Sequence, residues 1–105
     1  MICRLWRGWT TPENADAYEQ IVRGEVIPGI EARQLPGFRH IDLMKRDIGG
    51  EIEFQTLMWF DNLEAIKAFM GEDYTVSHVP LEARAVLNSF DDRAAHYEVI
   101  DRRPQ

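Results

Sequence analysis

The sequence predicts an α+β domain of βαββαβ type, an antiparallel sheet carrying helices, on three observations. Runs of β-branched and aromatic residues alternate with runs whose apolar residues recur every three or four positions, in the order strand, helix, strand, strand, helices, strand. Proline, glycine and asparagine stand where such elements must start and stop. The first and third strands are apolar on successive residues, so both faces of the sheet are dry and one needs a cover beyond the chain's own helices.

The elements follow in order. Ile2 to Trp9 reads as a strand. Thr10-Thr11-Pro12-Glu13 then offers a capping hydroxyl, a first-turn proline and an early acid, so a helix begins there. Its apolar stripe is Ala15, Tyr18, Val22, Val26 and Ile30, with Glu13, Asp16, Glu19, Gln20 and Arg23 opposite. Pro28-Gly29 is expected to kink or interrupt it, because proline lacks the donor and clashes with the preceding turn, and a second short piece runs to about Gln34. After the turn Leu35-Pro36-Gly37, Phe38 to Arg46 is a strand with Ile41 and Leu43 on one side and His40, Asp42 and Met44 on the other. Gly49-Gly50 marks a hairpin, and Ile52 to Phe60 returns.

Asp61-Asn62 supplies capping oxygens for a helix whose stripe is Leu63, Ile66, Phe69 and Met70, ended by Gly71. The loop Glu72 to Val79 holds Tyr74 and His78. Pro80 opens a third helical stretch with Ala83, Val86, Leu87 and Phe90 on one face. His96 to Ile100 is the last strand, and residues 101–105 form a polar tail. Residues 1–100 are therefore expected as a single ferredoxin-like plait. Leu57-Met58-Trp59-Phe60 must send apolar side chains to both faces, as must Ile2, Cys3, Leu5, Trp6 and Trp9. A twofold homodimer with sheets face to face, a dimeric α/β barrel, is the expected cover.

A formal net charge of -6 removes the basic footprint of a nucleic-acid binder, so no nucleic-acid partner is expected. Cys3 is the only cysteine; no intrachain disulfide can form, and its place in an apolar strand suggests buried packing. The run Met1 to Trp9, interrupted by Arg4 and Arg7, is too short for a signal peptide or a membrane span, so a cytoplasmic protein without a membrane partner is expected. Phosphate-loop and dinucleotide fingerprints are absent.

The stretch Leu5-Trp6-Arg7-Gly8-Trp9-Thr10, the turn Leu35-Pro36-Gly37-Phe38, the segment Trp59 to Ile66 with Phe69 and Gly71, and His96-Tyr97-Glu98 resemble the antibiotic biosynthesis monooxygenase-like proteins. That superfamily consists of dimeric α/β barrels, and the resemblance spans nearly the whole chain. Its cofactor-free, quinone-forming members oxidise polycyclic phenols between helices and sheet with Asn, Trp, Tyr and Arg side chains. The counterparts implied here are Trp59, Tyr74 and Arg4, with no Asn on the first strand. Its haem-degrading members are similar in the spacing from the strand-ending Trp to a histidine, which would make His78 the axial ligand. Their first-strand Asn falls on Trp6 and their second-helix Trp on Ala68 or Phe69. The resemblance implies a small monooxygenase needing no bound cofactor and acting on an aromatic or enolic molecule. Its alternatives are a non-catalytic barrel binding a small apolar ligand, and a haem-binding or haem-degrading relative.

Among single residues, His78 in its loop suits a base near neutral pH or a ligand to haem, Tyr74 could orient a phenol, and Arg4 could stabilise an oxyanion. Trp59, Trp6 and Phe69 offer apolar surface to a flat ligand. His40 and His96 have no second ligand at strand spacing, so both read as structural and no metal site is expected. Asp91-Asp92 beside Arg93 reads as a solvated turn.

Overall fold

Nine residues of one strand organise the rest of the chain. In the computed structural model, which describes residues 1–105, β1 (Ile2–Thr10) pairs antiparallel with β3 (Ile52–Phe60) on one side and with two short strands, β4 (Ser89–Phe90) and β5 (Ala95–Glu98), on the other. β2 (Phe38–Asp47) pairs outside β3, giving the order β2-β3-β1 with β4 and β5 sharing the far edge of β1. The helices lie on one face: α1 (Pro12–Ile21), a π-helical turn (Val22–Val26), α2 (Ile27–Glu31), α3 (Leu63–Met70) and the single turn α4 (Leu81–Arg84). This is the antiparallel ferredoxin-like plait expected from the element order. No helix is long and apolar enough to cross a membrane.

The local signals act as their chemistry requires. Thr11 Oγ1 accepts from Asn14 N–H at 3.2 Å and Asn62 Oδ1 from Ala65 N–H at 3.0 Å, each cap stabilising its helix by about 1 kcal/mol. Gly49 and Gly50 both take positive φ, 84° and 93°, and the Ile48 N–H closes the turn on Glu51 O at 3.0 Å. That is the twist a two-residue hairpin needs.

Three expectations are corrected. The long helix is disturbed upstream of Pro28, where Ile27 N–H bonds back to Val22 O across a wide turn. Tyr18, Val22, Val26 and Ile30 are spaced by three successive steps of four, which overruns a 3.6-residue period, and the wider turn absorbs the surplus so that one stripe stays on the sheet. The helical stretch from Pro80 stops after Arg84, and Phe90 belongs to a strand. The free edge of β1 offers carbonyls that capture the chain, with Asn88 N–H on Trp9 O at 2.8 Å and Asp91 N–H on Arg7 O at 2.9 Å. The last strand starts at Ala95 and ends at Glu98, one bond further being Val99 N–H to Met1 O at 3.0 Å.

Register decides which side chains meet. Ile2 stands opposite Phe60 and Thr10 opposite Ile52, so Arg4, Trp6, Phe54, Thr56, Met58 and Phe60 face the helices. Cys3, Leu5, Arg7, Trp9, Glu53, Gln55, Leu57 and Trp59 face away on the side without helices, so that face is mixed where the sequence predicts a wholly apolar one, with Cys3 and Glu53 buried and Leu5, Trp9, Leu57 and Trp59 half-buried. Gly8 sits where a Cβ would lie 2.8 Å from the Trp6 ring and 3.0 Å from Leu87, so only glycine admits the indole. The core beneath the helices is divided. One cluster gathers Trp6, Ala15, Tyr18, Val22 and Phe54; the other gathers Ile30, Met58, Phe60, Ile66 and Phe69.

Candidate functional site

The seam between the two core clusters is a cavity of about 50 Å³. Its floor is Arg4, Trp6, Thr56 and Met58 of β1 and β3; its roof is Tyr18, Val22, Val26, Ile27 and Ile30; and His78, Val79 and Pro80 close one side. The roof includes residues of the π-helical turn, a feature that recurs at functional sites. Eleven of the fifteen lining residues are hydrophobic, so the few polar groups are conspicuous.

Arg4 is the most unusual of them. It is 3% exposed yet has no carboxylate partner. One guanidinium nitrogen donates to the carbonyl of Tyr74 and lies 3.1 Å from His96 Nε2; the other donates to Val76 O at 2.7 Å. Nε–H takes no acceptor from the protein. Burial lowers the pKa to about 10, which leaves the group charged at neutral pH. The segment it grips is strapped to the sheet beyond, through Ser77 N–H to Asp92 O at 3.1 Å and Ala94 N–H to Thr75 O at 2.7 Å.

Phe69 of α3 lies between two cations, 5.7 Å from Arg4 and 5.2 Å from Arg33, with the His78 ring 5.3 Å away. Arg33 also caps α3, donating to Phe69 O at 3.0 Å and Ala68 O at 3.3 Å. His78 stands at the mouth, exposed on its outer side while lining the cavity. Partial desolvation, then the charges of Arg33 and Arg4, hold its imidazole below the ordinary range, so it is a neutral base at pH 7. His96, next to Arg4, is lowered to about 4 by burial and by that charge, so it accepts from the guanidinium. In a chain of net charge -6, this corner is locally cationic.

The expected site residues divide accordingly. Arg4, Trp6, Phe69 and His78 are brought together around the cavity. Trp6 is a wall only, since its indole N–H is already given to Asp91 O at 2.9 Å and Ser77 Oγ at 3.1 Å. The same bond makes Asp91 a partly buried structural residue, also paired with Arg7 at 3.0 Å, instead of a solvated turn. Tyr74 does not line the cavity; its carbonyl holds Arg4 and its ring meets His96 edge-on at 5.2 Å. Trp59 lies on the opposite face, donating to Asp42 Oδ2 at 3.0 Å with the His40 ring 5.5 Å away and Arg102 of the tail 5.2 Å above it. The register puts Trp59 opposite Cys3, one residue out of phase with Arg4. Trp59, Tyr74 and His78 therefore do not enclose a common space.

Tyr18 was visible in the sequence only as part of the helical stripe. It is 3% exposed, packs on Phe54 at 4.7 Å, lines the cavity, and its hydroxyl has no hydrogen-bond partner in the protein. Burial pushes its pKa up, so the phenol stays protonated. The available signal was one polar-tipped residue in an otherwise hydrocarbon stripe.

Three solved structures share this architecture along their whole length. A Bacillus cereus protein described provisionally as an antibiotic biosynthesis monooxygenase superposes with a TM-score of 0.69 at 15% identity, covering 99% of this chain and 97% of its own. The fold is that of the antibiotic biosynthesis monooxygenase-like proteins. Rv0793 from Mycobacterium tuberculosis gives 0.58 at 18% identity, with 96% of each chain covered. An ethyl tert-butyl ether (EthD) family protein from Bacillus halodurans gives 0.54 at 19%, covering 95% of this chain and 100% of that one. No protein-family model and no curated protein matches the sequence. Identities this low establish shape, and the chemistry has to be argued from the cavity.

Proposed function

We propose that the chain is a small oxygenase whose cavity takes a phenol or enol, ionises it and holds the anion for reaction with dioxygen. The observation that carries this reading is Arg4, a buried guanidinium without a counterion that borders an apolar cavity and keeps Nε–H unused. A ligand that becomes an anion there supplies the missing charge. His78 at the mouth accepts the proton and passes it to solvent. The anion gives one electron to dioxygen, and radical and superoxide combine as a peroxide. Loss of water then leaves a new carbonyl, so that a phenol and dioxygen become a quinone and water. Substrate and dioxygen supply all the atoms and electrons.

The cavity limits the ligand. Its roughly 50 Å³ is about a third of the ~150 Å³ that accommodates benzene, so even a single ring enters only if a wall yields, and the proposed ligand is a single-ring molecule. The segment His78 to Pro80, which has no regular secondary structure, is the wall proposed to yield. Haem is not part of this proposal, which uses His78 as a base. The proposed assembly is a homodimer that covers the sheet face without helices. Incubation with single-ring phenols and enols under dioxygen, followed by mass analysis, is expected to give the quinone or carbonyl product, with loss of product in His78→Ala. Stoichiometric binding with unchanged ligand would instead make the chain a binding protein.

A further inference from the structure

Arg4 and Tyr18 mark two separate places on the cavity wall. Arg4 stands opposite Met58 on β3, and Tyr18 packs on Phe54, four residues back along the same strand. At ~3.3 Å per residue those two β3 positions are about 13 Å apart, and Met58 alone of the two lines the cavity. Between them the lining is hydrocarbon apart from Thr56. The Tyr18 side chain is 3% exposed, and its hydroxyl has no protein partner yet is still reachable by water, unlike the sealed and unpartnered Thr10 Oγ1. The cavity it lines is where a partner can be placed.

Resting on the reading of this cavity as a phenol or enol site, we propose that its ligand is a small molecule with two oxygen functions. An acidic hydroxyl faces Arg4 and His78, and an uncharged oxygen is hydrogen-bonded to Tyr18. Tyr18 is then a specificity residue. As a neutral phenol it donates to a hydroxyl, ether or carbonyl oxygen, and it leaves an unmet donor against a ligand that ends in hydrocarbon. The inference predicts selection against simple alkylphenols.

The test uses two near-isosteric probes of similar acidity, 4-(hydroxymethyl)phenol and 4-ethylphenol, titrated calorimetrically into the wild type and Tyr18→Phe. The substitution is expected to weaken the first probe about fivefold and the second less than twofold, the size of one net hydrogen bond. Equal loss for both probes overturns the role of Tyr18 and leaves the phenol site standing. Selective loss in Thr56→Val but not in Tyr18→Phe also overturns it, by assigning the contact to the other hydroxyl. Failure of the wild type to bind either probe removes the phenol site and this inference with it. Should Tyr18→Phe not fold, the wild type decides alone: tighter binding of 4-ethylphenol than of its hydroxymethyl counterpart refutes the proposal.

Discussion

The charge on Arg4 should be measurable as a change in the acidity of whatever phenol occupies the cavity. A phenol oxygen accepting from Nε–H at about 2.9 Å lies about 4 Å from the centre of the guanidinium charge. At an effective dielectric constant near 20 that attraction is worth about 4 kcal/mol, or about three pKa units in favour of the anion. Removal of the phenolate from water into a mostly hydrocarbon cavity opposes it by about two units. The net expectation is a bound phenol about one unit more acidic than the free one. In Arg4→Met only desolvation remains, and the bound phenol should be about two units less acidic than in water. The probe is 4-nitrophenol, whose ionisation is read from its visible absorbance, titrated with and without excess protein. Circular dichroism checks that the variant, which leaves the Tyr74 and Val76 carbonyls without a donor, still folds. A bound pKa in the wild type at or above that of free 4-nitrophenol would refute the reasoning, whatever the variant does.

Two further outcomes are expected. The sheet face without helices, with half-buried Leu5, Leu57 and Trp59, should drive self-association, so sedimentation at micromolar concentration should find a particle of twice 12.2 kDa and Leu57→Glu should reduce it to a monomer. A 12.2 kDa particle in the wild type would remove the dimer. His96 is held down to about 4 from an ordinary 6.5, so the unfolded chain binds the proton first. Its contribution is whole above pH 6.5 and is lost as the pH falls from 6.5 towards 4, by on the order of 1 kcal/mol once the screening of a partly exposed ring is allowed for. Urea unfolding at pH 7 and pH 5 should show the loss, and His96→Gln should reduce it; an unchanged pH dependence in that variant would exclude His96 as its source.

Local chemistry made much of this structure readable. Thr11, Asn62 and the Gly49-Gly50 pair each act within a few residues of themselves, so their consequences were plain in sequence. The fate of Phe90 was not, because its preference was outweighed by vacant carbonyls on a strand more than eighty residues earlier. Trp59 illustrates the same limit at the site. Its phase relative to Arg4 depends on the pairing of β1 with β3, strands separated by two helices and a third strand, and no residue near Trp59 states that register. Arg4, Trp6, Phe69 and His78 could be nominated by type, whereas the unmet hydroxyl of Tyr18 exists only once the helix is laid on the sheet.

The central position of β1 also bears on how the protein is made. A ribosome releases this strand before any of its neighbours, and its partners in β3, β4 and β5 emerge about fifty to ninety residues later. Until then its tryptophans and leucine have no sheet to join, and the Arg4 grip on Tyr74 and Val76 has nothing to close on. Consolidation of β1 must therefore wait for the strands at residues 52–98, and pairing over so long a separation in sequence goes with slow folding.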